Sequence, residues 1–246
     1  MEKWLPYKIF NNQIIAGSSL KISSFYANFS LATHTGDNVD KILKNRDEFI
    51  KEFNENLKFV NVKQIHSDKI INIDEYNLLN GWIELPIEAD GMVTTKKGVI
   101  LAILTADCLA IIAVDEKKGI IGAVHAGWRG TKKQIASKLI KKMKSLGSNP
   151  KDIKCAISPG ICGNCYEVGY DVIKNFKDYP TAIKPKDNGK WLFDNKEANV
   201  IQLLNSGILK ENIEISNYCT YCNNDKFFSY RKGDTKGRFV TFVGII

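Results

Sequence analysis

Hydrophobic positions along the chain change period several times. Over 39–56 apolar residues recur at Val39, Ile42, Leu43, Phe49, Ile50 and Phe53, the spacing of an amphipathic helix. Residues 58–73 alternate instead, which predicts one or two strands. Three short apolar runs follow at 99–104, 109–114 and 120–124, the last two joined by a hairpin-like turn at 115–119. The strongest helical pattern covers 131–146. There Ile135, Leu139, Ile140, Met143 and Leu146 form one stripe, and Lys132, Lys133, Lys138, Lys141, Lys142 and Lys144 mostly face solvent. Gly147 and Pro150 stop it. A strand is expected at 154–157 and a helix at 167–176. A second helix at 194–204 is opened by the capping pair Asp194 and Glu197. Strands at 226–230 and 238–245 close the reading. Hairpins and helices alternate without βαβ regularity, so the expected class is α+β, with mixed β-sheets and flanking helices.

The run from 99 to 114 is interrupted by Thr105 and Asp107 and is too short and too polar to span a bilayer. The first ten residues, MEKWLPYKIF, lack the apolar core of a secretory signal. A soluble cytoplasmic protein with no membrane partner is therefore expected. The formal charge of +8 comes almost entirely from lysine, and only Arg46, Arg129, Arg231 and Arg238 are arginine. Arginine offers a planar fork for phosphate or carboxylate that lysine lacks, so these four are candidates for an anionic ligand or for buried ion pairs. The lysine face of the 131–146 helix reads as solvated surface, and no nucleic-acid partner is expected. Six cysteines suggest reduced thiols or metal ligands rather than a disulfide framework.

The three histidines stand in unusual settings: His34 in "THTGD", His66 in "KQIHSD" and His125 in "AVHAGWRG". Cys108, in "LTADCLA", belongs to a polar insertion between apolar runs, which is costly unless its polar atoms have partners or a function. If the flanking segments pair as neighbouring strands, Cys108 and His125 converge at one sheet edge, and His66 can join them. Two histidines and one cysteine with a fourth position open describe a catalytic zinc site. The same residues admit a Cys108–His125 nucleophilic pair or unrelated structural roles. Cys162-Gly-Asn-Cys165 and Cys219-Thr-Tyr-Cys222 could together bind a structural zinc. The long gap between them favours packed or partly exposed thiols instead. The Gly127-Trp128-Arg129-Gly130 turn leads into the 131–146 helix, a position suited to an anion, with Trp128 read as a core residue. It matches neither a P-loop nor a dinucleotide fingerprint.

Taken together, "SLATHTGD" (30–37), "KNR" (44–46), "VKQIHS" (62–67), "EADGMVT" (88–94), "LTADC" (104–108), "HAGWRG" (125–130), "SPGICGNCYEVG" (158–169), "CT" (219–220) and "FFSYRKGDTKGRFV" (227–240) resemble the YfiH-type family. This family is also called laccase-domain or multicopper polyphenol oxidase proteins and is regarded as purine nucleoside phosphorylases. The resemblance implies a single α+β domain over 1–246, with one zinc held by His66, Cys108 and His125 acting in catalysis. It implies phosphorolysis of adenosine, inosine, guanosine and methylthioadenosine, with adenosine deaminase activity; purine nucleosides and phosphate are the expected partners of a monomer or homodimer. Arg46, Arg129 and His34 are the expected contacts to phosphate or substrate. Ser30, Ser158 and Cys222 depart from the family pattern without touching the metal ligands. One two-histidine, one-cysteine set with a single spare histidine falls short of the ligands for several coppers, so copper and polyphenol oxidation are disfavoured. The alternatives are an amide hydrolase with Cys108 as nucleophile, acting in cell-wall precursor editing, and a nucleotide- or RNA-binding module using the lysine surface.

Overall fold

A computed structural model describes residues 2–54 and 56–246. The chain opens with β1 (Trp4–Pro6), β2 (Ile14–Ser19), α1 (Val39–Ile50), β3 (Lys58–Lys63) and β4 (Ile70–Asn72). It continues through β5 (Gly81–Glu88), β6 (Gly91–Thr94), β7 (Val99–Thr105), β8 (Leu109–Asp115) and β9 (Ile120–Ala126). Next come α2 (Trp128–Lys132), α3 (Ile135–Ser145), β10 (Ile153–Ile157), β11 (Glu167–Val168), α4 (Tyr170–Ile173) and β12 (Ile183–Pro185). The last elements are β13 (Trp191–Phe193), α5 (Asn195–Asn205), β14 (Ile213–Ile215) and β15 (Phe239–Ile245). This is the expected α+β class with mixed sheets. One six-stranded sheet has the order β1-β2-β15-β7-β3-β5, a second has β14-β10-β8-β9-β6-β4, and a small third sheet has β11-β13-β12.

The unbroken apolar runs follow from this layering, because strands covered on both faces need no polar side. In β7, Val99, Leu101 and Ile103 enter the core between the two large sheets, while Ile100, Ala102 and Leu104 face the aromatic cluster of Phe49, Phe59 and Phe242. In β8, Ala110, Ile112 and Val114 point into the same inter-sheet core. Its other face, Leu109, Ile111 and Ala113, packs on Ile135, Leu139, Ile140 and Met143 of α3. The period of two thus divides each strand between two cores.

Several elements depart from expectation. The 39–56 helix ends at Ile50; Phe53 lies in the turn beyond it, and Glu55 is outside the described residues. The 58–73 segment forms two strands, within expectation, and they lie in different sheets. The 131–146 helix is broken at Gln134, whose backbone is left-handed at φ 64°. There Asn199 and Gln202 of α5 hold Thr131, with Nδ2 to Oγ1 at 2.9 Å and Nε2 to the carbonyl at 2.7 Å. The expected 167–176 helix starts only at Tyr170, because Glu167 and Val168 pair with Leu192 and Trp191. The 226–230 strand is absent. Asp234 there draws the chain into a loop, its carboxylate accepting from the Ser229 N–H at 2.9 Å and from Lys21 Nζ at 3.1 Å. None of the described helices is long and apolar enough to cross a membrane.

Ile112 is fully buried between the sheets. Ile112→Ala is expected to cost about 2–5 kcal/mol, read as a lower urea midpoint at unchanged slope.

Candidate active site

β7 and β8 are not paired neighbours: after Thr105 the chain leaves the first sheet and enters the second at Leu109. The polar Thr-Ala-Asp-Cys insertion is this crossing. Cys108 meets His125 through the other pairing, β8 with β9, where Leu109 lies opposite Ala126 and Ala110 opposite His125. His66 arrives from β3, which runs parallel to β7 and so ends at the same side of the sandwich. The Gln64 side-chain amide extends that pairing, donating to the Leu104 carbonyl and accepting from its N–H, both at 2.9 Å. The ligand atoms of His66, Cys108 and His125 lie within 4.8 Å of one another. The two imidazoles meet edge to face, with centroids 4.7 Å apart.

Asp90, between β5 and β6, organises the group, although the sequence reading assigned it no role. Its buried carboxylate accepts from the N–H of Ile65 at 3.2 Å and of His66 at 3.0 Å, and from the Ser67 hydroxyl at 2.7 Å. It also lies 2.8 Å from His125 Nδ1, while its carbonyl accepts the His125 N–H at 2.7 Å. A proton on Nδ1 leaves Nε2 free to face Cys108 and His66. His66 itself has φ 59° and Asp107 φ 80°, left-handed values that cost energy for side-chain-bearing residues. Asp90 secures the first. The second is secured by Thr220 Oγ1 and the Arg231 N–H, which donate to the Asp107 carboxylate at 2.6 and 2.7 Å.

Burial alone would push the Cys108 thiol up, but hydrogen bonds from His125 and His66 outweigh it and bring the pKa to about 6. For His125, burial opposes charge, yet Asp90 and Cys108 raise the imidazole to about 9. Burial would likewise raise Asp90, and the His125 and Ser67 hydrogen bonds hold it at about 2. Without a metal the group is a thiolate–imidazolium–carboxylate array. The donor set, two imidazole nitrogens and one thiolate, suits a borderline ion of the zinc type. Gly127 fits the same reading: a Cβ there would stand 2.9 Å from Cys108 Sγ and 3.2 Å from His66 Cδ2, filling the approach to the three donors.

The three residues open into a cavity of about 500 Å³. Trp128, Tyr166 and Tyr230 line it, and beside each stands an arginine: Arg129 at 4.4 Å, Arg231 at 5.4 Å and Arg238 at 5.9 Å from the respective ring centroids. Among the described residues none of these guanidiniums has a carboxylate partner within 4.0 Å. Trp128 has a double character, since it also packs against the Phe176 and Phe193 cluster. Thr105 lines the cavity with a buried hydroxyl that has no protein partner. His34 stands on the rim, its pKa lowered by desolvation.

Arg46 does not line the cavity. It is buried, donating from Nε to the Leu31 carbonyl at 2.9 Å and from Nη1 to Glu84 at 3.1 Å, with its guanidinium 4.7 Å from the Trp82 ring centroid. The 127–130 turn opens only the five-residue α2, because the long helix restarts after Gln134. The positive charge of this wall therefore comes from the arginines rather than from a long helix N-terminus. Arg231 and Arg238 are two of the four arginines that the sequence offers as anion or ion-pair candidates, and "YRKGD" and "GRF" place each beside an aromatic residue; Tyr166 is a cavity residue that sequence reasoning missed.

Residues 16–246 match the family described as multi-copper polyphenol oxidoreductase laccase. The purine nucleoside phosphorylase YlmD of Bacillus subtilis is 30% identical, over 100% of this chain and 93% of that protein. Adenosine deaminase RL5, from an unknown prokaryotic organism, is 33% identical over 89% of this chain and 87% of its own. The crystal structure of YlmD from Geobacillus stearothermophilus superposes with a TM-score of 0.89 at 29% identity, covering 99% of this chain and 96% of that one. YfiH of Bacillus licheniformis gives 0.86 at 28%, over 96% and 94%.

In chelator-treated protein, alkylation of Cys108 is expected to rise with a midpoint near pH 6, well below the ordinary thiol range. Its midpoint should move up in His125→Ala, as followed by mass spectrometry of the labelled peptide.

Proposed function

The chain belongs to the multi-copper polyphenol oxidoreductase laccase family, and from that membership and the cavity geometry we propose that it is an enzyme acting on purine nucleosides. The proposed reaction is phosphorolysis of adenosine, inosine, guanosine and methylthioadenosine, with deamination of adenosine as a second activity. One zinc ion would be held by His66, Cys108 and His125. The observation that carries the reading is the convergence of these three donors on a cavity walled by three arginines that have no carboxylate partner among the described residues. The names of the related phosphorylases and deaminase support both activities.

When bound, the ion supplies Lewis acidity that polarises a reacting group. The protein's own residues do the rest. Asp90 keeps a proton on His125 Nδ1 and so fixes the ring that presents Nε2. A purine fits against the aromatic surfaces of Trp128, Tyr166 and Tyr230, and Arg129, Arg231 and Arg238 are the groups to orient phosphate. In phosphorolysis the C1′–N9 bond breaks, a phosphate oxygen bonds C1′, and the departing base takes up a proton. Arg46, engaged by Glu84, would act only by supporting the wall behind His34. The chain would work as one domain in the cytoplasm, where its free thiols stay reduced. Multicopper chemistry finds little support, because the other metal-type cluster among the described residues is all cysteine.

One observation favours a second reading. Cys108, His125 and Asp90 form a thiolate–imidazole–carboxylate array of the kind that activates a cysteine nucleophile. Rapid labelling of Cys108 in metal-replete protein, with loss of turnover, would favour an amide hydrolase, since a metal-bound thiolate is protected.

Incubation of purified enzyme with adenosine and inosine, analysed by chromatography, is expected to release free base and ribose 1-phosphate only with phosphate. Inosine should form from adenosine without it. Cys108→Ala should abolish both; full turnover in metal-free protein would refute the proposal. Asp90→Asn is expected to weaken zinc binding about 10- to 100-fold, measured by competition with a chromophoric chelator.

A further inference from the structure

Behind the Tyr166 side of the cavity, two short turns bring four more thiols together. In 162–165 the Cys165 and Tyr166 N–H groups donate to the Cys162 carbonyl at 2.9 and 3.0 Å, and in 219–222 the Asn223 N–H donates to the Cys219 carbonyl at 2.8 Å. Each turn points its two thiols the same way. A parallel bridge between Gly160 and Cys219 sets the turns side by side. The sulfurs of Cys162, Cys165, Cys219 and Cys222 then lie within 4.8 Å of one another, with Cys165 and Cys222 at 3.4 Å, and none is in a disulfide.

A tetrahedral ion with metal–sulfur bonds of about 2.3 Å requires sulfur–sulfur edges of about 3.8 Å, and the four thiols are clustered on that scale. An iron–sulfide cluster would hold its cysteines farther apart. The surroundings also suit thiolates. The Cys162 N–H donates to Cys219 Sγ at 3.3 Å. The Lys196 ammonium, held by the carbonyls of Ser216 at 2.6 Å and Tyr218 at 3.0 Å, places a cation on the segment entering Cys219. That charge partly offsets the net negative charge of four thiolates on one divalent ion.

The geometry points to a second metal site: one zinc-type ion bound by Cys162, Cys165, Cys219 and Cys222. With four protein ligands it is closed and structural, unlike the open three-donor group. It clamps the loop that carries Ile161 and Tyr166 to the segment whose Thr220 anchors Asp107, and so braces one cavity wall. Binding releases the thiol protons to solvent and involves no electron transfer.

The test uses the full chain, purified without chelator under a phosphine reductant, with metal content measured by plasma emission. About two ions per chain are expected in the wild type and about one in both Cys165→Ser/Cys222→Ser and Cys108→Ala. Because Cys108→Ala removes only the three-donor site, failure of the active-site proposal is distinguishable from failure of this one. Should the double variant not fold, the wild type still decides. Titration with Co²⁺ should give the strong thiolate charge-transfer bands of an all-sulfur tetrahedral site, and iodoacetamide should spare the four cysteines until the ion is stripped. A single ion per chain in the wild type, with all four cysteines alkylated as fast as in unfolded protein, overturns the proposal. So does a disulfide among them in the wild type that replaces the second ion.

Discussion

Asp90 carries a carboxylate with no exposure to solvent, and five donors converge on it. An unpaired buried carboxylate would cost several kcal/mol, so the chain around it must bend to supply those donors. Three are the consecutive backbone amides of Ile65, His66 and Ser67, which is why His66 adopts a left-handed backbone. Another is the imidazole of His125 at the end of β9. One anion therefore ties the loop leaving the first large sheet to a central strand of the second. The relative position of His66 and His125 is set by that demand for charge satisfaction.

The three-donor group lies on the seam between the sheets. Cys108 sits on the crossing from β7 to β8, His66 just beyond β3, and His125 near the end of β9. Their mutual electrostatics are steep: the thiol is pulled down and His125 lifted because each finds its opposite charge in a desolvated place. Arg129, Arg231 and Arg238 add positive charge with no carboxylate within 4.0 Å among the described residues, and each stands beside an aromatic ring. Such a wall can offer a flat apolar surface and an anion cradle to one ligand.

The α+β class, the β8–β9 hairpin and the stripe of α3 were legible because periodicity reports burial directly. What escaped depended on long-range side-chain demands. Gln134 breaks a regular helical pattern because Thr131 is pinned from α5. Glu167 and Val168 are claimed by β13, and Ser229 is turned away from a ladder by Asp234. At the site, the grouping of His66, Cys108 and His125 was readable as a possibility from composition and as an implication of family resemblance; the expected β8–β9 hairpin brings Cys108 to His125, while β7 and β8 lie in different sheets. Asp90 was hidden inside an ordinary "EADG" because nothing local reveals a carboxylate whose partners lie on two other segments. Arg46 stood with the cavity arginines as an anion or ion-pair candidate, and the position of Glu84 makes it the ion pair.

The first sheet has the order β1-β2-β15-β7-β3-β5, so β15 is an interior strand although it follows every other element of its sheet in the chain. During synthesis on the ribosome, β2 and β7 must wait with bare hydrogen-bonding edges until β15 emerges. Contacts of such sequence separation close slowly, and exposed apolar edges invite pairing between nascent chains. The half-made sheet is thus the stage of synthesis at which this chain is most open to mispairing, and only the arrival of β15 closes it.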